Sequence, residues 1–265
     1  MSLAGRPTGP VPVPAAVRAA TVRYRLDPVW RNELGGLTFA AVGERDGERR
    51  FVKWAPAGSG LDLDTEAARM TWAAAYTPVP RPLARGADGE GSWLVTAALP
   101  GRSAVSPEWV GRPREAARAI GEGLRALHDA LPVARCPFTW SLEERRAAIL
   151  RQDLDPARWH PDHAGIDPER ALALLADPPE VDRLVVCHGD ACAPNTLIGA
   201  DGRWSGHVDL GRLGVADRWA DLAIATWSLN WNYGPDWAPE LLAAYGVADD
   251  PDRTRWYRLL WDLAP

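Results

Sequence analysis

Between residues 17 and 100, apolar and polar positions alternate with the two-residue period of β-strands. The segments TVRYRL, LTFAAVG and RRFVKWA combine this alternation with β-branched or aromatic residues, and GERDGER between the last two predicts a turn. SWLVTAALPG predicts a buried strand that ends at Pro-Gly. One helix is expected among these strands, DLDTEAARMTWAAAY, with Asp64 as its N-cap and with Leu63, Ala67, Met70 and Ala74 near one face.

From residue 101 onward, apolar positions recur mainly at helical spacing. Helices are predicted for PREAARAIGEGLRALHDAL, SLEERRAAILRQDL, ADRWADLAIATWSL, DWAPELLAAYG and DPDRTRWYRLLWDL. A β-rich island, RLVVCHGDACAPNTLIGADGRWSGHVDLGR, predicts two strand pairs around tight loops. We therefore expect an N-terminal arm over 1–16, a small β-rich lobe over 17–98 and a larger, mainly α-helical lobe over 99–265, which together make an α+β fold. A cleft between two such lobes is a common place for a ligand.

Composition narrows the class of protein. The chain has 265 residues, of which 46% are hydrophobic and 25% charged, and it contains no apolar run of the roughly 18 residues that a membrane span needs. No apolar stretch of signal-peptide length occurs near residue 1, and the three cysteines form no C-x-x-C, so we expect a cytoplasmic protein without disulfides or a zinc site. The net charge of −5 argues against a nucleic-acid partner and favours a cationic or neutral one.

Candidate chemistry lies in the β-rich island. HGDACAPN contains Asp190 and Asn195, five residues apart, and HVDLGR places Asp209 after the next strand. Magnesium prefers oxygen ligands, which Asn195 and Asp209 offer, and this leaves Asp190 to accept a hydrogen bond from a hydroxyl. Phosphoryl transfer needs this division of labour. Any one of the three residues is also explained as a turn cap, but the set at this spacing favours the phosphoryl-transfer site.

Lys53, in FVKWAP, is the single lysine among 30 basic residues. An ammonium on a flexible stem binds several phosphate oxygens and a carboxylate at once, which the planar guanidinium of arginine does not reproduce. Glu66, thirteen residues later in the predicted helix, is the candidate carboxylate. Solvent-exposed charges at both positions are the alternative.

A glycine-containing segment precedes this lysine. NELGGLTFAAV supplies Gly35, Gly36 and Thr38, whose main-chain N–H groups we consider as phosphate donors. A Gly-Gly hairpin turn explains the segment equally well. The sequence contains no G-x-x-x-x-G-K-[ST], which excludes a P-loop.

These stretches resemble the aminoglycoside phosphotransferases, which share the protein-kinase-like fold, and the 3′-phosphotransferase branch in particular. The resemblance covers about residues 30–263 and rests on FVKWAP, EAARMTW, WLVTAALPG, LRALHDALPVARCPF, VVCHGDACAPN, SGHVDLGRLGVADRWADLAIAT and RWYRLLWDL. It implies a bilobal fold with a nucleotide-binding first lobe and a catalytic second lobe. It also implies that Asp190 is the catalytic aspartate, that Asn195 and Asp209 bind magnesium, and that Lys53 with Glu66 holds the nucleotide phosphates.

The same resemblance implies an adenine slot at the lobe junction, bonded by main-chain groups from Ala97 to Leu99. It further implies that Asp217 and Asp221, four apart on a helix, support the catalytic loop without reacting. His188 is expected to brace the backbone of that loop, with a general-base role as the alternative.

Acceptor recognition is where the sequence departs from the family. Antibiotic-modifying members hold their polycationic substrate with acids, but here Ala157 and His160 replace acids in an inserted segment and tryptophans replace carboxylates nearer the C-terminus. An indole ring can stack on a sugar or bind an ammonium through cation–π contact. The candidate substrate residues are Asp162, Arg212, Trp227, Trp231 and Asp262. The alternative is that the tryptophans fill the core.

The resemblance implies an ATP- and Mg²⁺-dependent small-molecule O-kinase that phosphorylates an aminoglycoside antibiotic, on its 3′-hydroxyl, and confers resistance. Two alternatives stay open. The first is a kinase of the same fold for another hydroxylated metabolite or natural product, and the second is a nucleotide-binding relative without catalysis. We expect no nucleic-acid or membrane partner.

Overall fold

A computed structural model describes residues 5–263, and the chain divides into two compact units, Met1–Leu99 and Pro100–Pro265. Residues 1–4 of the predicted N-terminal arm lie outside the described residues. Over residues 5–14 the chain has a single β-bridge, between Gly5 and Arg31. Within residues 5–263, no helix combines the length and the apolar content needed to cross a membrane.

The first unit is built on a five-stranded antiparallel sheet with strand order β1-β2-β3-β5-β4. Its strands are β1 (Tyr24–Arg31), β2 (Leu37–Gly43), β3 (Arg49–Pro56), β4 (Pro82–Ala87) and β5 (Gly91–Ala97). Two helices accompany them, α1 (Ala15–Ala20) and α2 (Leu63–Ala73). The β-rich character predicted for this part of the chain is confirmed.

The alternation of the strands places different chemistry on the two faces of this sheet. Phe39 pairs with Val52 and Val52 with Val95, and these side chains form a buried apolar cluster with Val17 of α1. The neighbouring row carries Thr38, Lys53 and Leu94 in register, so Lys53 projects from the opposite face. The strand period therefore places the single lysine away from the apolar cluster.

Helix α2 begins two residues earlier than predicted, because its N-cap is Asp62 and the Asp64 prediction is wrong. The Asp62 carboxylate accepts a hydrogen bond from the Thr65 N–H at 2.9 Å. Both aspartates have suitable cap chemistry, and burial of apolar side chains decides between them. Leu63 is buried as the first helical residue, and Ala73, not Ala74, is buried at the other end.

The second unit is mainly helical, as predicted. Its helices are α3 (Pro107–Val110), α4 (Pro113–Ala130), α5 (Leu142–Ile149), α6 (Pro168–Leu175), α7 (Trp219–Tyr233), α8 (Ala238–Tyr245) and α9 (Pro251–Leu263). Helix α4 packs against α8, and α7 packs against α9. Gly121 of α4 lies directly against the main chain of α8 at Leu241, an approach that a Cβ atom would block.

The β-rich island is confirmed as two strand pairs. The strands of this unit are β6 (Arg102–Ser103), β7 (Leu184–Cys187), β8 (Thr196–Ile198), β9 (Trp204–His207) and β10 (Gly214–Asp217). β7 pairs with β10, and β8 pairs with both β9 and β6. The pairs hold loops 188–195 and 208–213 at their ends, which is where the candidate residues lie.

The sequence did not predict α1, α3, α6, β4 or β6. β4 has the sequence PLARGA, whose proline, glycine and arginine give little β propensity, and its pairing with β5 makes it a strand. α1 has only six residues and no side-chain N-cap hydrogen bond, so it lacks both of the usual signals for a helix.

Candidate active site

Lys53 and Glu66 form an ion pair in the first unit. The Lys53 Nζ atom donates to Glu66 Oε1 at 2.7 Å, and the two side chains are 23% and 6% exposed. β3 places the lysine, and α2 turns Glu66 inward alongside the buried Ala67 and Met70. A carboxylate as buried as Glu66 needs a positively charged partner. The pair therefore fixes the ammonium above the sheet face that carries Thr38.

Gly36 and Thr38 lie at the hairpin between β1 and β2. The Asn32 N–H donates to the Gly36 carbonyl at 2.8 Å, and Gly35 turns the chain with φ of 85°. A Cβ at Gly36 would lie 2.6 Å from Leu61 Cδ1, so packing also favours glycine there. Hairpin geometry therefore accounts for both glycines, and their contact with phosphate stays a prediction.

Main-chain groups at the end of β5 are partly engaged. The Ala97 N–H donates to the Arg81 carbonyl at 3.0 Å, and the Ala98 N–H donates to the Arg49 carbonyl at 3.2 Å. The N–H groups of residues 97 and 98 were among those predicted to bind adenine. Both are therefore already used in hydrogen bonds within the first unit. The Ala97 carbonyl and the Leu99 main chain are the better candidates.

In the second unit, the HGD loop (residues 188–195) brings Asp190 and Asn195 together. Asn195 Nδ2 donates to the Asp190 main-chain oxygen at 2.9 Å and to its Oδ2 atom at 3.2 Å. A main-chain oxygen can only accept, so the amide nitrogen must face Asp190. The amide oxygen of Asn195 is then the atom left for another ligand.

His188 braces the HGD loop from within, as predicted. Its Nδ1 atom accepts from the Asp190 N–H at 3.3 Å, and its Nε2 atom lies 2.9 Å from the Val208 carbonyl. Because an N–H can only donate and a carbonyl can only accept, the imidazole is neutral with its proton on Nε2. His188 is fully buried and both its nitrogens are engaged, so the geometry favours bracing over a general-base role.

Asp221 of α7 fixes the start of the HGD loop, which confirms its predicted supporting role. Its two carboxylate oxygens accept from the His188 N–H at 2.6 Å and the Gly189 N–H at 2.9 Å. Gly189 has φ of 83°, and a Cβ there would overlap the Arg212 main chain. This turn therefore requires glycine, and Asp190 follows it directly.

His128 of α4 stabilises the charge on Asp221. His128 Nε2 lies 2.9 Å from Asp221 Oδ2, and Nδ1 lies 2.9 Å from the Tyr245 hydroxyl. Burial favours a raised pKa for the Asp221 carboxyl, but the hydrogen bonds from His128 and from the His188 main-chain N–H outweigh it and hold the pKa below its usual value. The loop is therefore anchored on an ionised, fully hydrogen-bonded carboxylate.

His128, Cys187 and Asp221 also bring potential metal-ligand atoms within 4.8 Å of one another. The Cys187 thiol donates to the Asp217 carbonyl at 3.3 Å, and burial raises its pKa well above its usual value. A neutral thiol beside an already paired histidine and carboxylate is a poor metal site. These residues are better explained as loop support.

Asp209 follows β9 in a left-handed conformation, with φ of 64°. Such a conformation in a residue other than glycine is uncommon and costs about 1–3 kcal/mol, a strain found mostly at functional sites. The Val208 N–H donates to the Asn195 carbonyl at 2.9 Å, so Asp209 is one residue from a direct contact with the HGD loop. An amide oxygen from Asn195 and a carboxylate from Asp209 are the hard oxygen donors that fit magnesium.

The predicted position of Asp217 is wrong. It ends β10 and precedes α7, and its carboxylate accepts from the Trp219 N–H at 2.8 Å and the Asp182 N–H at 2.6 Å. Asp217 thus accepts from the first N–H of α7 and holds the segment before β7. The HGD loop itself is supported by Asp221 alone of the two.

The predicted substrate residues separate into two places. Trp227 and Trp231 pack with His160 and Trp261, and we call these four residues the tryptophan cluster; its ring centroids lie 4.3–6.1 Å apart between neighbours. The two predicted acids contact it. Asp162 Oδ2 accepts from Trp227 Nε1 at 2.8 Å, and Asp262 Oδ2 accepts from the His160 N–H at 2.9 Å.

Arg212 lies elsewhere. Its guanidinium stacks 5.7 Å from the Trp140 ring centroid. Its main chain contacts Gly189, so it borders the HGD loop rather than the tryptophan cluster. A substrate role for any of these residues stays a prediction.

Sequence reasoning missed three residues that complete the HGD loop. The Ser228 hydroxyl accepts from the Ala193 N–H at 2.9 Å, and His128 anchors Asp221. Burial, followed by the nearby Asp190 charge, raises the pKa of the Cys192 thiol, which therefore stays neutral beside that carboxylate. His128 occurs in the helical pattern LRALHDAL, where a histidine after buried leucines was the available signal.

Comparison with known proteins identifies the arrangement. Residues 34–257 match the model of the phosphotransferase enzyme family. An aminoglycoside 3′-phosphotransferase of Streptomyces fradiae is 40% identical over 222 residues, covering 78% of this chain and 81% of the relative. A streptomycin 3″-kinase of Streptomyces griseus is 34% identical over 251 residues, covering 86% and 89%.

Solved structures agree. A type VIII aminoglycoside 3′-phosphotransferase is 32% identical with a TM-score of 0.79, covering 94% of this chain and 96% of that chain. These matches confirm the kinase-like α+β fold predicted from the sequence. The chain belongs to the phosphotransferase enzyme family.

Proposed function

We propose that this protein transfers the γ-phosphate of ATP to a hydroxyl group of an aminoglycoside and thereby confers resistance to it. The observation that carries the proposal is the HGD loop, in which half-buried Asp190 lies beside Asn195 and buried Asp221 holds the loop through two main-chain N–H groups. The similarity to aminoglycoside kinases supplies the acceptor class. A cytoplasmic location is part of the proposal, supported by three free cysteines.

Asp190 orients the acceptor. Its Oδ2 atom accepts from Asn195 Nδ2 at 3.2 Å, and a carboxylate has about four lone-pair positions, so it can still accept from an acceptor hydroxyl. The hydroxyl oxygen is then aligned for in-line attack on the γ-phosphorus. Because the transition state is loose, positioning contributes more than proton abstraction.

Two sets of residues bind the nucleotide. Lys53, held by Glu66 at 2.7 Å, contacts the α- and β-phosphates, and the Asn195 amide oxygen with Asp209 provides ligands for Mg²⁺. When bound, Mg²⁺ would neutralise negative charge on the phosphates. The Ala97 carbonyl and the Leu99 main chain bond the adenine, and the main chain around Gly36 and Thr38 covers the phosphates.

The 3′-hydroxyl is the proposed position of transfer. Relatives named for 3′ and for 3″ transfer both match, and identity is higher to the 3′ enzyme, 40% against 34%. A second candidate is a kinase of another hydroxylated natural product. The tryptophan cluster favours it, because the predicted acids Asp162 and Asp262 are bonded within the protein.

The test is ADP release from ATP and Mg²⁺ with kanamycin, neomycin or streptomycin as acceptor, in wild type and Asp190→Asn. The substitution keeps the shape of the side chain but removes the charge that orients the hydroxyl, so turnover should fall at least about 100-fold, the scale of a lost general-base or orienting group. ATP binding, measured by calorimetry, should remain.

Asp201→Asn is the matched control, because Asp201 is exposed in the β8–β9 turn. Its turnover should equal that of wild type. Retention of more than a few per cent of activity by Asp190→Asn would contradict the assignment. Turnover of another hydroxyl compound and none of the three antibiotics would favour the second candidate.

A further inference from the structure

The tryptophan cluster is closed on one side and open on the other. Trp227 is fully buried, with its ring centroid 4.3 Å from that of His160 and 5.1 Å from that of Trp231. Trp231 is 41% exposed, and its Nε1 atom donates to His160 Nε2 at 3.0 Å. This hydrogen bond fixes the edge of the Trp231 indole while part of the ring remains in contact with solvent.

The open part of the cluster is on the same helix as Ser228, which holds the HGD loop. Ser228 of α7 accepts from the Ala193 N–H of the HGD loop at 2.9 Å, and Trp231 follows three residues later on the same helix. Residues three apart on a helix share a face. Asn232, whose Nδ2 atom donates to the Ser228 carbonyl at 2.7 Å, lies beside it. Trp231 therefore lies one helical turn after the residue that hydrogen-bonds the loop carrying Asp190.

The two carboxylates that contact the cluster are already hydrogen-bonded within the protein. The Asp262 side chain is 7% exposed, and its Oδ2 atom contacts His163 Nδ1 at 2.5 Å and the His160 N–H at 2.9 Å. Asp162 is 53% exposed but uses one oxygen for Trp227. The Arg258 guanidinium lies 5.5 Å from the Trp227 ring centroid and adds a positive charge. The positive charge of Arg258 offsets part of the negative charge of the two carboxylates, so their electric field attracts a polycationic acceptor only weakly.

We propose that the exposed indole ring of Trp231 binds one cationic group of the acceptor, an ammonium or a guanidinium, through cation–π contact. This inference rests on the proposed function, and it makes Trp231 a specificity-determining residue. Acceptor binding then depends on the π face of an aromatic ring. A site made of acidic residues would use ion pairs instead. The contact orders the acceptor beside the HGD loop without touching the nucleotide.

The experiment measures KM and kcat for streptomycin, kanamycin and neomycin in Trp231→Leu and Trp231→Phe. Loss of the aromatic face in Trp231→Leu should raise the acceptor KM about 2- to 30-fold, the range of a cation–π contact, with kcat and the KM for ATP unchanged. Trp231→Phe keeps a π face and loses only the N–H to His160, so it should recover most of this loss. A larger effect on streptomycin identifies a guanidinium, and a larger effect on the other two an ammonium.

Tyr76→Leu is the matched control, because Tyr76 is an aromatic side chain that is 37% exposed just after α2 of the first unit. It should leave every constant unchanged. A Trp231→Leu enzyme with the wild-type acceptor KM overturns the inference, and so does a Trp231→Phe enzyme as impaired as Trp231→Leu. Thermal unfolding midpoints of all three variants check that each is folded.

Failure of the proposed function would look different. Wild-type protein that binds ATP but neither binds nor phosphorylates any of the three antibiotics would remove both proposals. Phosphorylation with no dependence on Trp231 would remove only the cation–π contact.

Discussion

The HGD loop and the tryptophan cluster lie in the same unit and are held by different kinds of contact. The loop is fixed through main-chain N–H groups, those of His188 and Gly189 on Asp221 and that of Ala193 on Ser228. The cluster is fixed mainly by contacts between side chains, such as Trp227 with Asp162, and the His160 N–H on Asp262 adds a main-chain contact. Main-chain groups are present whatever the side chain, so the loop can keep its shape while its side chains do chemistry.

This difference predicts two kinds of mutational effect. Loss of the hydrogen bonds that hold the HGD loop should lower turnover with every acceptor, because it displaces Asp190 itself. Damage to the cluster should change which acceptor is used, because its shape depends on the identity of each side chain. The variants below test this contrast, from the largest expected effect to the smallest.

Asp221→Ala should have the largest effect. It removes the acceptor of two main-chain N–H groups and leaves buried His128 without its carboxylate, so we expect a loss of about 3–5 kcal/mol in the free energy of unfolding. Turnover should fall with all acceptors. Urea unfolding and ADP release measure the two effects.

Asp129→Ala is the control for Asp221→Ala. Asp129 pairs with Arg125 and Arg183 at the protein surface, where an ion pair contributes about 0–1 kcal/mol. If Asp221→Ala were as stable and active as this control, the HGD loop would not depend on Asp221 for its shape.

Gly189→Ala should have the next largest effect. Gly189 has φ of 83°, and an added Cβ would overlap the Arg212 main chain, so left-handed strain and overlap together should cost about 2–5 kcal/mol. Gly165 has a similar φ of 87° with nothing within 4 Å of an added Cβ. Gly165→Ala should therefore cost only the strain, about 1–2 kcal/mol.

The glycine pair is measured by urea unfolding and by turnover. Gly189→Ala should lose activity with every acceptor, and Gly165→Ala should keep it. Equal losses of stability would mean that the main chain at Arg212 moves aside, and that the loop is less rigid than its hydrogen bonds indicate.

The sequence predicted the loop better than the cluster. Asp190, Asn195 and Asp209 share one short stretch of chain, so their spacing carries the information, and the strand period placed Lys53 for its contact with Glu66. The residues that hold the HGD loop are distant in sequence, and His128 and Asp221 are 93 positions apart. Only the fold brings such residues together, and no local pattern distinguishes His128 from a histidine that merely packs.

The burial of side chains also settled alternatives that the local sequence left open. Asp62 and Asp64 are equally good caps, and the buried position of Leu63 selects Asp62. The tryptophans were predicted either to bind substrate or to fill the core, and the structure shows both environments: Trp227 is fully buried and Trp231 is open. A sequence pattern does not reveal which face of α7 is covered by the inserted segment.

The smallest effects separate the two acids of the cluster. Asp262→Asn replaces a 7%-exposed carboxylate bonded to His163 and to the His160 N–H, so we expect a loss of about 1–3 kcal/mol in stability, the scale of a charge-assisted hydrogen bond. Asp162→Asn keeps an oxygen for Trp227 Nε1 on a 53%-exposed side chain, and its stability should change by less than about 0.5 kcal/mol. Urea unfolding measures both.

Acceptor kinetics then show whether either acid binds substrate. If a carboxylate beside the cluster holds an ammonium of the acceptor, Asp162→Asn should raise the acceptor KM without any loss of stability, because the Asp162 side chain is the more exposed of the two. If Trp231 supplies the contact, Asp162→Asn should leave KM within about 2-fold of wild type. Asp262→Asn should then change KM only indirectly, through the position of His160. The ratio of the two KM values therefore distinguishes an acidic acceptor site from an aromatic one, in variants whose catalytic loop is untouched.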